Sequence, residues 1–471
     1  MSFLKDGPLV TVYVPCRNYG RFLAQAVQSV RHQLYPHWEM FIIDEASDDG
    51  SLAIAEQLRR EEPDRIHVIA HDTPQGLQKS ANEILDLAQG RYIVRLDADD
   101  WFEESALLLM VAKLESDPEL GLVFGNYYYT DSEGRVIGAE RRRKLGLEDN
   151  SVLLPPHGAC TMVRTRALKS VGGYSEDIDA QDGWELWYKL VHRVKAANIE
   201  APLFYYRQHE QSLSRNEGRL LGARAKIIQK TSERLHGSYK PSCLAVVTVR
   251  ESYPGFDGVP YRELGGRTLL EIALSSALGA DGITEAMVSS ASDGVLAHAQ
   301  SLVEQGKVAE HIRVKRPPEL SGSHIQLRDT LMHAAESYRE ARGAYPDIVA
   351  FLNLHAPLRR AEHVDKALNT LRINHCDSVV SVCQEREPIF THGPDGLELL
   401  NPGRFEELEY ERERLYRFNG AVLAVWWEVL SGGDVFGTRV AYIEMSKEDS
   451  AQIKHADDLQ NPRIVARLTS P

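Results

Sequence analysis

Two tandem α/β domains are the fold class this sequence predicts, and three observations predict it. The chain has 471 residues, about three times the commonest domain length. Short apolar runs alternate with helix-period segments in both halves, the pattern of βαβ units on a largely parallel sheet. That pattern lapses once, around His236-Gly237-Ser238-Tyr239-Lys240-Pro241-Ser242, before a fresh apolar run begins. The expected division is therefore a first domain over 1–237, a linker over 238–242 and a second domain over 243–471.

The elements follow in order. Leu9 to Val14 reads as a buried strand, and Arg21 to His32 as a helix with Phe22, Ala26, Val27 and Val30 on one face. Met40 to Ile43 is a second strand, Ser51 to Glu61 a helix, Ile66 to Ile69 a third strand, Gln78 to Ala88 a helix, and Tyr92 to Leu96 a fourth strand. Beyond the lapse, Leu244 to Val249 opens a new sheet. Helices are expected over Leu269–Leu278, Gly294–Gln305, Leu327–Ala341 and His363–Leu371, and strands over Glu285–Ser289, Ile348–Leu352 and Ser378–Val382.

Composition excludes several classes. With 43% hydrophobic and 26% charged residues, the chain is neither disordered nor collagen-like. Asp plus Glu outnumber Lys plus Arg by 68 to 54, and both halves share the acidic excess, which argues against a nucleic-acid partner. The one dense basic run, Arg141-Arg142-Arg143-Lys144, reads as a solvated loop, or as a surface touching anionic lipid or a phosphorylated acceptor. Five cysteines without a CxxC spacing indicate neither a disulfide framework nor a zinc site, and fit a reducing compartment. Met1 to Pro8 lacks an apolar signal region, and no stretch approaches the roughly 18 apolar residues of a membrane span. The expectation is a cytoplasmic protein with at most peripheral contact at the inner face of a membrane.

In an open α/β sheet, ligands bind beyond the carboxyl ends of the strands, and two of those ends are acidic here. Asp44-Glu45-Ala46-Ser47-Asp48-Asp49-Gly50-Ser51 follows the second strand, and Asp97-Ala98-Asp99-Asp100 the fourth. Three carboxylates within four residues repel one another unless a cation offsets them. Hard oxygen donors of this kind suit Mg²⁺ or Mn²⁺ with a bound diphosphate completing the shell. The alternative is that Asp99 or Asp100 caps a helix beginning near Trp101.

Six ordered motifs extend this pattern. They are Val14-Pro15-Cys16-Arg17-Asn18, Ile43 to Ser51, Gly76 to Asn82, Leu96 to Asp100, Gln181-Asp182-Gly183-Trp184-Glu185-Leu186-Trp187, and Tyr206-Arg207-Gln208-His209-Glu210-Gln211-Ser212-Leu213-Ser214. Together they resemble the family 2 glycosyltransferases of GT-A fold. The resemblance implies a nucleotide-diphospho-sugar donor, UDP-linked above all, a divalent cation, and a glycan or glycolipid acceptor in bacterial surface polysaccharide or glycoconjugate assembly. It makes Asp182 the catalytic base and Asp99 a metal ligand, with Asp97 on ribose or sharing the cation. Asp44 would meet the nucleobase, Arg207 and His209 the diphosphate, and Pro15, Asn18 and Lys79 the nucleotide. A single carboxylate base implies direct displacement with inversion, because a retaining double displacement calls for a carboxylate nucleophile as well. Two positions depart from the family pattern: Glu45 stands where a second Asp is usual, and Gln181 where a Glu is. Trp184 and Trp187 read as core rather than as a sugar platform.

From Cys243 onward the chain resembles the cytidylyltransferases that activate sialic-acid-like sugars, through Ala245 to Arg250, Tyr261 to Leu270, Arg316-Pro317-Pro318-Glu319-Leu320, Leu352 to Arg359 and Phe418-Asn419-Gly420-Ala421. This implies a nucleotidyltransferase-like, Rossmann-type domain that pairs into a homodimer. Yet Glu251-Ser252-Tyr253-Pro254 offers no glycine-lysine phosphate loop. Gln452 and Lys454 stand where paired aspartates would hold a metal, and a lysine cannot ligate one. The expectation is a degenerate domain in which Lys315 and the set Arg250, Arg316, Arg359 and Asn419 offer an anion pocket. Two alternatives stay open: a bifunctional glycosyltransferase and cytidylyltransferase, and a non-catalytic sugar- or nucleotide-binding scaffold.

Overall fold

A computed structural model describes residues 3–140, 157–191, 193–209, 216–237, 239–322, 324–385, 387–394, 396–400 and 415–469. The basic run Arg141–Lys144 and positions 210–214 of the closing motif lie outside the described residues. The chain divides into two compact units, 1–227 with 388–413, and 228–387 with 414–471. The division thus falls at 227/228 inside the helix Glu217–His236, where the pattern of apolar positions does not break.

In the first unit, strands β1 (Val10–Cys16), β2 (Trp38–Asp44), β3 (Ile66–Ala70) and β4 (Tyr92–Arg95) lie side by side in the order β3-β2-β1-β4, all parallel. Helices α1 (Gly20–Arg31), α2 (Ser51–Glu61) and α3 (Leu77–Leu87) connect them. Val10, Val12 and Val14 of β1 pack in one core with Leu23, Ala26, Val27 and Val30 of α1 and with Leu107, Met110, Val111 and Leu114 of α4 (Ala106–Ser116). Each such buried aliphatic side chain contributes about 1.5–3 kcal/mol.

The rest of this sheet departs from the expected parallel arrangement. β5 (Trp101–Phe102), β6 (Leu120–Thr130), β7 (Val136–Glu140), β8 (Met162–Arg164) and β9 (Lys195–Arg207) extend it in the order β4-β8-β6-β9-β5, with β7 against β6. β8 runs antiparallel to both β4 and β6, β6 parallel to β9, and β5 antiparallel to β9. Aromatic content drives this half: Tyr127, Tyr128 and Tyr129 of β6 lie in register with Phe204, Tyr205 and Tyr206 of β9. Trp101, which the capping alternative put at the start of a helix, instead pairs with Tyr205 with stacked rings 4.9 Å apart, and the helix starts at Ala106.

The second unit repeats the opening arrangement. β10 (Cys243–Val249), β11 (Glu285–Ser290), β12 (Ile312–Lys315) and β13 (Ile348–Leu352) are parallel in the order β12-β11-β10-β13. β14 (Ser378–Glu385), β15 (Leu415–Trp426) and β16 (Val440–Glu444) complete the sheet as β13-β15-β14-β16, with β15 antiparallel to its neighbours. Its helices are α6 (Leu269–Leu278), α7 (Asp293–Glu304), α8 (Leu327–Arg342) and α9 (Ala361–Ile373), each within two residues of expectation at either end. All five cysteines are unpaired and buried. No helix among the described residues is long and apolar enough to cross a membrane.

Candidate active site

The parallel strand ends converge. β1 and β2 stop together, Cys16 opposite Asp44, and the Glu45 amide donates to the Cys16 carbonyl at 2.9 Å. Two cross-links join the segments beyond: the Asp48 amide donates to Asn18 Oδ1 at 2.9 Å, and the Asn18 amide to Ser47 Oγ at 3.0 Å. Asn18 takes φ +59°, a left-handed conformation that Asn tolerates better than most residues.

Asp44 is only 2% exposed. Its Oδ2 accepts the Ser47 amide at 3.1 Å, while its Oδ1 is buried with no hydrogen-bond partner among the described residues. An acceptor left in that state is costly unless a ligand donor meets it. Glu45 has the opposite fate. It accepts the Gln75 amide at 2.6 Å and the Gly76 amide at 3.0 Å, takes the Ser80 hydroxyl, and lies 3.2 Å from His71 Nδ1. Burial pushes its carboxyl up, but these donors outweigh burial and hold it below the ordinary carboxylate value. Glu45 therefore anchors the loop that opens α3. On α3, Lys79 is exposed and bonds Gln75 Oε1, and Pro15 is half-buried at the end of β1.

The acidic end of β4 is held from two sides. β5 follows it directly and pairs with the end of β9, which carries Arg207 and His209 beneath the carboxylates. The Arg207 amide donates to Asp100 Oδ1 and its Nε to the Asp99 carbonyl, both at 2.9 Å, while Nη1 reaches the Ser132 carbonyl and Nη2 Gln25 Oε1. The guanidinium also lies over the Phe22 and Trp101 rings. His209 Nε2 sits 2.9 Å from Asp99 Oδ2. Both side chains, expected to meet the diphosphate, thus contact the acidic loop directly.

Arg95, the last residue of β4, is the member sequence reasoning missed. It is buried, with Nη1 2.5 Å from Asp182 Oδ2 and Nε 2.9 Å from Asp97 Oδ1. A lone arginine inside an apolar strand is itself the overlooked signal, since a buried charge is almost never left unpaired. Asp182 is 8% exposed and is the first residue of helix α5 (Asp182–Leu190), after Gln181 at φ +60°. Gln181 Oε1 accepts Arg224 Nε at 2.8 Å, and Arg224 lies over the Trp184 ring. Trp187 is fully buried and Trp184 partly so. A Cβ at Gly158 would collide with Asp182 Oδ2 and lie 2.8 Å from Arg95 Nη2, so a bare backbone is required beside the pair.

Burial raises the Asp97 carboxyl to about 6, with Arg95 opposing and Asp99 and Asp182 adding. Burial raises Asp100 well above the carboxylate range, with Asp99 and Asp97 adding. Such crowding is what a cation relieves. Among the described residues no group of three metal-ligating side chains stands assembled. Asp97, Asp99 and His209 nonetheless supply two hard oxygen donors and an imidazole, a set that fits Mg²⁺ or Mn²⁺ when phosphate oxygens and water complete it.

In the second unit the four expected anion-pocket residues fall into two groups. Arg250 donates to the Gly322 carbonyl, and Arg316 to Ser321 Oγ and to the Ser289 and Val249 carbonyls. Arg359 bonds Ser276 Oγ and the Asn353 and Ala421 carbonyls, while Asn419 bonds Ser381, Ser450 and the Ala421 amide. Gln452 bonds the Asn419 carbonyl, Lys454 is exposed, and Lys315 pairs with Asp293.

A family model described as glycosyl transferase family 2 matches residues 11–172. EpsE of Bacillus subtilis (strain 168), whose name carries a glycosyltransferase assignment, is 30% identical over 224 residues, 45% of this chain and 77% of EpsE. TuaG of the same organism, named for teichuronic acid biosynthesis, is 39% identical over 100 residues, 21% of this chain and 39% of TuaG. Among solved structures, residues 1–349 of S. aureus TarS in complex with UDP-GlcNAc align at 18% identity and a TM-score of 0.41, over 49% of this chain and 68% of that one.

Proposed function

Because the chain belongs to glycosyltransferase family 2 and is therefore a glycosyltransferase, we propose that it moves a sugar from a nucleotide-diphospho donor, UDP-linked, to an acceptor hydroxyl. The displacement is direct and inverting, and the product serves bacterial surface polysaccharide or glycoconjugate assembly. The observation that carries this reading is the chain Asp97–Arg95–Asp182. It ties the carboxylate suited to act as base to the acidic strand end suited to receive a cation and diphosphate.

The residues divide the work. Asp44 Oδ1, an unpaired buried acceptor, meets an N–H of the nucleobase. Pro15, Asn18 and Lys79 border the same nucleotide. Asp99 and Asp97 hold the cation, with His209 beside Asp99 and Arg207 fixing the loop from below. Bound there, the cation offsets the charge that develops on the departing diphosphate. Asp182 takes the proton of the acceptor hydroxyl as the new bond forms on the opposite face of the sugar, and Arg95 fixes the position of its carboxylate. In the second unit Gln452 and Lys454 stand where the resemblance calls for paired aspartates, so we assign it no nucleotidyl transfer.

Turnover of a panel of UDP-, dTDP- and GDP-sugars, with and without Mn²⁺, tests the proposal. It predicts cation-dependent release of nucleoside diphosphate and a product whose anomeric configuration, read by NMR, is the reverse of the donor's. Retention of configuration would contradict it.

A further inference from the structure

The second unit holds a cavity of about 580 Å³ walled by α6, by the turn leading into α9, by Asp449 and by the helix Pro462–Thr469, a volume typical of small-molecule sites. Guanidinium groups dominate its lining: Arg267, Arg359, Arg360 and Arg467, against the carboxylates of Glu362 and Asp449. Most of this charge is matched. Arg467 Nε lies 2.9 Å and Arg360 Nη2 3.2 Å from Asp449, Arg360 also pairs with Glu362, and Arg267 pairs with Glu271 behind the wall.

Arg359 is the exception. It is 3% exposed, and its partners are all neutral: Ser276 Oγ at 3.0 Å, the Asn353 carbonyl at 2.8 Å and the Ala421 carbonyl at 2.9 Å. Those bonds use Nε and Nη1, and among the described residues Nη2 makes none and no carboxylate pairs with the group. Burial alone lowers its pKa to about 9. A buried charge without a counter-charge is costly, and here it borders a cavity whose lining carries four guanidinium groups against two carboxylates.

We propose that this cavity binds a small organic oxyanion, a phosphate ester or a carboxylate, with Arg359 Nη2 as its buried contact and Arg267 and Arg467 at the rim. Of the four residues expected to form an anion pocket, Arg250, Arg316, Arg359 and Asn419, this cavity takes only Arg359 into its lining, and its residues all belong to the second unit.

Calorimetric titration of the full chain with glucose 6-phosphate, glucuronate and glucose tests the proposal. Saturable binding of one or both anions and none of glucose is expected, and the arm that responds identifies phosphate or carboxylate. Arg359→Gln and the double variant Arg267→Gln/Arg467→Gln are expected to weaken it about ten- to a hundredfold, the loss of a charge-assisted hydrogen bond or two. Asp44→Ala, which alters only the first unit, leaves it unchanged. If Arg359→Gln fails to fold, the double variant decides, because its positions are on the rim. Absence of saturable binding of both anions to the wild-type chain, or equal affinity in the double variant, overturns the proposal.

Discussion

Arg95 holds two carboxylates at once, Asp97 and Asp182. Removing one partner of a buried charge cluster costs about 3–5 kcal/mol, because the remaining charges stay buried without a counterpart. Arg95→Met is therefore expected to lower unfolding free energy in urea by about that amount and to abolish transfer, with Arg95→Lys recovering part of the stability. Gly158→Ala is expected to act more narrowly. Its new methyl displaces the Asp182 carboxylate, so transfer falls by about a hundredfold or more while donor affinity, measured by calorimetry, stays within a fewfold. At this scale the sequence offered Asp44, Asp99 and Asp182 as candidates through the motifs that carry them. It did not identify what holds them. Arg95 is a single letter inside an apolar run and Gly158 lies in no motif, and each matters only through what lies beside it in space.

Between strands and helices, the acidic loop after β2 does two jobs that its sequence presents as one. Among the described residues one Asp44 oxygen has no partner, whereas Glu45 spends its lone pairs on Gln75, Gly76 and Ser80. Glu45→Gln keeps the shape but forfeits charge-assisted bonds, and is expected to cost about 1–3 kcal/mol and to raise KM for the donor, as denaturation and initial-rate measurements will read. The parallel strands β1 to β4 and the helices between them were legible because they alternate cleanly with turn residues, whereas the short β12 (Ile312–Lys315) was not expected. β5 to β9 were not, because their order is set by pairing between aromatic segments far apart in the chain. In the second unit, α9 carries a pH response. Burial lowers the His363 imidazole from 6.5 to about 4, with Arg360 and Lys366 adding to the shift and Glu362 and Asp449 opposing it. The unfolded chain thus takes up this proton near 6.5 and the folded chain only near 4, so the stability due to neutral His363 is full above 6.5 and is lost as pH falls through that window. Between pH 7 and pH 5 the wild-type chain is expected to lose more stability than His363→Gln does, as measured by urea denaturation.

Taken whole, the molecule repeats one arrangement of four parallel strands in two units, and the first carries Asp44, Asp97, Asp99 and Asp100 at its strand ends. The tandem α/β plan was legible in the alternation of apolar runs. With Gln452 on the Asn419 carbonyl and Lys454 in solvent, the second unit is expected to release no pyrophosphate from CTP in the presence of a nonulosonic acid, and a pyrophosphate-release assay checks this. The most direct test of the account is the rate of sugar transfer by Asp182→Asn at saturating donor and Mn²⁺. The account predicts a fall of about a hundredfold or more with donor affinity and melting temperature close to wild type, whereas a variant that transfers sugar at the wild-type rate would contradict it.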